Sequence, residues 1–144
     1  MNNNFILNSS YGKQSVPVFK VIKNKSKHTI IDMEVEIILE GDISDSWITG
    51  TNHQILPTET QKNTCYAIAL TTDFDCIEDY GIALGNDIIK RHSHITKATI
   101  SISSRQWNAI QIDNKEHNHA FIRNTEPNRK ECICIIEKTN SSIT

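Results

Sequence analysis

The stretch "TIIDMEVEIILEGD" constrains the fold more than any other part of the chain. Ile31, Met33, Val35, Ile37 and Leu39 fall on one side of an extended backbone, and Asp32, Glu34, Glu36 and Glu40 on the other. A period of two with one apolar side is the pattern of an antiparallel strand that is covered on one face and wet on the other. Upstream, "SVPVFKVIK" is short and β-rich, and the polar "NKSKH" between the two runs reads as a hairpin loop. The basic cluster Lys20, Lys23, Lys25 and Lys27 sits at that turn and reads as solvated rather than as a phosphate-binding patch.

After a turn at Gly41 and an irregular stretch to about Leu56, the period changes. Residues 58–70 read as a helix, with Thr58 as N-cap and Gln61 three residues on, the capping-box spacing. A second helix over 74–91 sets Phe74, Ile77, Gly81, Leu84 and Ile88 along one apolar stripe. Alternation returns with Ala98, Ile100 and Ile102 opposite Lys97, Thr99, Ser101 and Ser103. It runs on through Trp107, Ile110 and Ile112 to a turn at "DNK". A last strand region covers roughly 119–123 and, past a polar break, 129–138. The order β-β-α-α-β-β gives an α+β class, an antiparallel four-stranded sheet with two helices on one face. Two open edges and a second face of mixed polarity imply that the sheet continues into another chain or domain. At 144 residues the chain suits one domain, expected over 11–144 behind an Asn- and Ser-rich tail, 1–10, read as disordered.

Charge and cysteine usage exclude several classes of function. Fifteen Lys and Arg stand against seventeen Asp and Glu, a net charge of −2, so neither a nucleic-acid footprint nor a membrane-surface role is expected. No segment approaches membrane-spanning length. The start "MNNNFILNSS" lacks the basic and apolar regions of a signal peptide. Cys65, Cys76, Cys132 and Cys134 form no CxxC pair, and the reading is a reduced, intracellular protein.

Few motifs carry chemistry on their own. His92 with His94 and His117 with His119 are His-x-His pairs, which zinc can use on a strand. Neither pair has a third ligand at recognisable spacing, and no metal is expected. No nucleophile elbow and no glycine-rich phosphate loop occurs. What stands out is "LPTETQKNT". A helix start presents unpaired N–H groups and the positive end of the helix dipole, which suit a planar anion. Helix starts of this kind are several times more often plain caps.

The combination of motifs resembles the N-terminal part of the urate oxidase (uricase) family. "YGK" at Tyr11–Lys13 precedes a V-x-V-x-K-V strand and an acidic strand ending "LEGD". Pro57, Thr58, Glu59 and Thr60 with "QKNT", then "RHSHI", then Trp107 before "IQIDNKEHNHAFIR", follow in family order from Tyr11 to about Glu137. The resemblance implies the tunnelling fold (T-fold) and a cofactor-free oxidase. Such an enzyme takes the urate anion, dioxygen and water to 5-hydroxyisourate and hydrogen peroxide. It also implies that Lys13 and Thr58 are the lysine and threonine of a proton relay. The backbone at Thr58 and Glu59 would bind one end of the urate ring.

The sequence departs from the family pattern at several points. Glu59 replaces the usual Asp, Pro17 a common Arg, Thr51-Asn52-His53 an Asp-Asn-Ser pattern, and Asp87-Ile88 a common His-Phe. Most importantly, the family pairs two T-fold domains, and the motifs of the second, including its arginine, glutamine, phenylalanine and histidine, do not occur in this sequence. The implied partner is therefore a complementary second T-fold domain or further copies in a homo-oligomer, a tetramer by resemblance. The implied location is the peroxisome, or the cytoplasm given the ending "SSIT". Two rival readings remain: a non-catalytic truncated or vestigial T-fold assembly domain, and a zinc-dependent pterin or purine enzyme on the same fold.

Overall fold

The alternating stretch forms the expected hairpin and sits at the centre of the sheet. A computed structural model of the chain describes residues 9–23, 25–125 and 129–139. In it β1 (Ser10–Lys23) pairs antiparallel with β2 (His28–Gly41), which in turn pairs with β3 (Ile95–Arg105). The fourth strand, β6 (Arg129–Glu137), pairs with β3, so the sheet order is β1-β2-β3-β6 and every pairing is antiparallel. Most of the tail expected over 1–10 lies outside the described residues; β1 begins at Ser10.

Between β2 and β3 lie a four-residue helix, α1 (Asp45–Ile48), and two longer ones, α2 (Thr58–Thr71) and α3 (Ile77–Arg91). The two long helices cover the apolar side of the sheet. Met33, Val35, Ile37 and Leu39 from β2 are fully buried beneath them, with Ala98 and Ile100 from β3 and Tyr80, Leu84 and Ile88 from α3. Each large apolar side chain buried there contributes about 1.5–3 kcal/mol. The Tyr80 hydroxyl donates to the Cys65 carbonyl at 2.9 Å, so this buried polar tip is satisfied. Burial pushes the Cys65 thiol up to about 11, which keeps it protonated and inert. All four cysteines are free.

One expectation needs correction. The strand predicted to run unbroken from Ala98 to Ile112 ends at Arg105, and only the second piece of the last strand region joins the sheet. Residues 107–123 instead form an arm of their own, β4 (Trp107–Ile112) paired with β5 (Lys115–Arg123). Its turn places Asp113 and Asn114 at φ of 51° and 63°, the two left-handed residues of a type I′ hairpin. The break has a tertiary cause. Trp107 Nε1 donates to Asp32 Oδ2 at 3.0 Å, while Arg105 reaches Asp32 at 3.4 Å and Glu34 at 3.1 Å. Both side chains are thereby held on the polar face of β2. Beyond them Ile110, Ile112 and Ile122 are exposed, so the alternation that reads as a sheet strand has no core to bury its apolar side.

The arm returns to the tip of the β1–β2 hairpin. Lys27 pairs with Glu116 at 2.8 Å, and the rings of His28 and His119 lie 4.2 Å apart, with His117 next along β5. Desolvation holds the His28 imidazole below its ordinary range, and the charges of His119 and Lys23 add to this. A base with a lowered native pKa binds fewer protons folded than unfolded. This contact is therefore unpenalised above the ordinary value of 6.5 and weakens as pH falls through it. Glu116, depressed by Lys27, adds to this only at more acid pH, because its stabilisation is lost as pH falls below the ordinary carboxylate value. Lowering the pH from about 7 to about 5 is expected to reduce amide protection, measured against the intrinsic exchange rate at each pH, in β4 and β5 before it does so in β2 and β3. His28→Phe should flatten that response, and an unchanged pH profile in this variant would discount the histidine pair.

Candidate functional site

Lys13 takes its position from an irregularity in β1. Pairing steps from Lys13↔Ile37 to Val16↔Val35, so β1 spends one extra residue there, and Ser15 adopts φ 54°. This β-bulge changes which residues face inward. Before it, Tyr11 and Lys13 stand opposite the buried Leu39 and Ile37; after it, Val16 and Val18 stand opposite the buried Val35 and Met33. Paired residues share a face, so Lys13 lies on the helix-covered side of the sheet, half-buried, rather than on the wet side. Its ammonium makes no hydrogen bond or ion pair among the described residues. Pro17 lies in an edge strand opposite Glu34, the kind of strand in which a proline is tolerated.

The second element is the start of α2. It is pinned to β1 by the backbone N–H of Leu56, which donates to the Tyr11 hydroxyl at 2.9 Å. At its far end Lys20 Nζ donates to the Ala69 carbonyl at 2.7 Å. The helix therefore runs along β1 with its N-terminus at the Tyr11–Lys13 end and its C-terminus over Lys20. Burial raises the Tyr11 hydroxyl above its ordinary value, partly offset by the bond from Leu56, so it stays neutral.

Thr58 is not the cap that the spacing predicts. The cap position is Pro57, at φ −54° and ψ 141°, and no side chain caps the helix. A capping side chain must leave from extended backbone to reach the N2 or N3 amide. Thr58 is already helical, and Pro57 has no side-chain acceptor. The capping box fails at its other end too. Gln61 is fully buried, and its Nε2 donates to the Leu56 carbonyl at 2.9 Å instead of reaching the Thr58 backbone. Its Oε1 is buried with no partner among the described residues, a state that typically costs about 1–3 kcal/mol.

The consequence is an open helix start. The first intrahelical bond is Gln61 N to Pro57 O, at 3.0 Å. The amides of Thr58, Glu59 and Thr60 precede it and are the free donors that a helix N-terminus leaves for an anion. The Thr58 hydroxyl is exposed and makes no hydrogen bond among the described residues, to Lys13 or to anything else. Glu59 turns its carboxylate to Lys62 and solvent, so only its backbone faces the same side as the open amides. The structure thus gathers the Lys13 strand and the Thr58 helix start at one corner of the sheet. It leaves a cation, a free hydroxyl and unpaired N–H groups there.

Tyr11 and the true role of Gln61 were not visible in the sequence pattern. The "YGK" motif drew attention to the lysine, and nothing in periodicity marks a tyrosine that bonds to a residue forty-five positions on. The histidine pairs lie elsewhere. The His92 and His94 rings meet edge-on at 6.0 Å, and His117 Nδ1 accepts from the His119 N–H at 3.1 Å. Among the described residues no group of three or more His, Cys, Asp or Glu side chains is disposed to hold a metal ion. No helix among them is long and apolar enough to cross a membrane.

Sheet order, helix placement and this corner define the chain as an α+β protein of the tunnelling fold. The uricase family profile matches residues 9–133, and the chain belongs to that family. It is 35% identical to the uricase of Aspergillus flavus over 129 residues, 88% of this chain and 43% of that protein. With the uricase of Dictyostelium discoideum it shares 33% identity over 124 residues, 84% of this chain and 43% of the relative. The crystal structure of a uricase from Arthrobacter globiformis superposes with a TM-score of 0.82 at 29% identity, covering 94% of this chain and 45% of that one. The chain spans under half the length of the relatives it matches.

Proposed function

We propose that this chain supplies one half of a urate oxidase site, with Lys13 and Thr58 as its proton relay. The reaction takes the urate anion, dioxygen and water to 5-hydroxyisourate and hydrogen peroxide, without a cofactor. The carrying observation is the open start of α2, uncapped and tied by Tyr11 to the strand that bears Lys13. The amides of Thr58 and Glu59 bind one edge of the planar anion, a role that Glu59 can fill in place of Asp because its side chain is turned away. The Lys13 charge favours the ionised form of the Thr58 hydroxyl, which then passes protons to and from bound water or peroxide.

The other half of the site comes from a complementary T-fold domain. The chain covers 43% of the Aspergillus flavus protein, and its sheet ends in two unpaired edges, β1 and β6. Ile133 and Ile135 are exposed beside the second edge, on the face without helices, as expected of a sheet that continues into a neighbour. By resemblance the assembly is a homo-oligomer, a tetramer, and its location the peroxisome. The 144-residue chain alone is expected to leave urate's near-ultraviolet absorbance unchanged. Absorbance should be lost when the chain is combined with the second T-fold domain of a uricase. Turnover by the purified chain alone at a normal uricase rate would overturn the half-site reading. Absence of turnover in the combined sample would overturn the assignment of activity.

A further inference from the structure

We propose that Tyr11 and Gln61 are positioning residues that set the backbone of the α2 start, an inference that rests on the half-site reading above. Leu56 is buried, and both of its backbone polar groups are taken by side chains. Its N–H donates to the Tyr11 hydroxyl and its carbonyl accepts from Gln61 Nε2, each at 2.9 Å. The two partners come from different elements, β1 and α2, so the residue before Pro57–Thr58 is clamped between strand and helix. Pro57 fixes its own φ, which passes that constraint to Thr58 with one soft torsion fewer. The Thr58 hydroxyl and the open amides are thereby held without touching the clamp themselves.

A purely structural account leaves one feature unexplained. Gln61 is fully buried, yet its Oε1 has no partner among the described residues. An apolar side chain of the same length would fill the space without an orphaned oxygen. Retaining the carboxamide holds the Leu56 carbonyl and leaves one acceptor free on the helix side of β1.

The test uses Tyr11→Phe and Gln61→Met, each of which keeps shape and removes the polar group. In amide-resolved NMR of the 144-residue chain, both variants should shift or broaden Thr58, Glu59 and Thr60, while Ile68 and Ala69 at the other end of α2 hold their positions. Unmoved signals at 58–60, or equal changes along the whole helix, overturn the clamp. Tyr11→Phe keeps the test open if Gln61→Met fails to fold, because Tyr11 is only half-buried and its ring is retained. In the combined sample described above, each variant should lower kcat about tenfold or more, with an unfolding temperature close to that of the unaltered chain. A fall in kcat only in proportion to lost folded protein also overturns the proposal. If the unaltered combination does not oxidise urate, the activity assignment falls, and the NMR comparison still decides the clamp.

Discussion

Thr58→Ala and Lys13→Met are each expected to lower urate turnover by about 10²- to 10⁴-fold in an assembly that holds both halves of the site, the range for losing a positioned proton-transfer group. The fold should survive both changes. The Thr58 hydroxyl makes no hydrogen bond and is exposed, so removing it should alter stability by no more than about 0.5 kcal/mol. Methionine keeps the apolar stem that Lys13 lays against the helix-covered side and drops only the charge. In the proposed relay the two groups act on the same proton, so the double variant should be hardly slower than the worse single one. Multiplied losses in the double variant would mean that they act separately. Thr58→Ser keeps a hydroxyl and should retain most of the turnover. The readouts are loss of urate absorbance and a thermal melt on the same samples. Normal turnover by Thr58→Ala would remove it from the relay.

The parts of this fold that were legible in the sequence are those where one side of an element meets the core along its whole length. β2 is the clear case: of its five alternating apolar residues, Met33, Val35, Ile37 and Leu39 become the buried centre of the sheet and Ile31 packs against it partly buried. β1 was legible only from Val16 onward, because the bulge at Ser15 moves the inward residues from odd to even numbers. A reading with a period of two stops at such a break. Tyr11 and Lys13 therefore read as residues ahead of the strand although they are part of it.

The β4–β5 arm failed in the opposite way. Its alternation is real, but Arg105 and Trp107 bind Asp32 and carry the chain off the sheet, a tertiary event that no local pattern records. For the candidate site, the helix start was legible and its chemistry was not. The capping-box spacing gave the boundary correctly and assigned Thr58 and Gln61 the wrong bonds. Lys13 emerged only through the family resemblance, since one lysine before a strand is indistinguishable by pattern from any solvated lysine.

The largest expected effect on stability is that of Gly12→Ala, one residue before Lys13. A Cβ at Gly12 would lie 1.8 Å from the Ile37 carbonyl oxygen and 2.8 Å from its carbon, both backbone atoms of the neighbouring strand. Backbone in a central strand cannot yield as a side-chain tip does, so β1 must separate from β2 at this point. Overpacking of this kind costs about 3 kcal/mol at the upper end of its usual range. For a domain of this size that is a fall of roughly 10 °C in unfolding temperature. Gly85→Ala is the useful comparison. There the Cβ meets Ile136 Cδ1 at 2.4 Å, the flexible end of a side chain on an edge strand, and a smaller loss is expected. The damage at Gly12 should also be local. Val16 and Val18 lie beyond the bulge and keep their places opposite Val35 and Met33, whereas Tyr11 and Lys13 lose theirs. A Gly12→Ala chain should therefore melt early at the Tyr11–Leu56 contact, seen as fast exchange of the Leu56 amide, while the β2–β3 core stays protected. If it melts like the unaltered chain, β1 does not run beside Ile37 as described, and Lys13 loses its place on the helix side of the sheet.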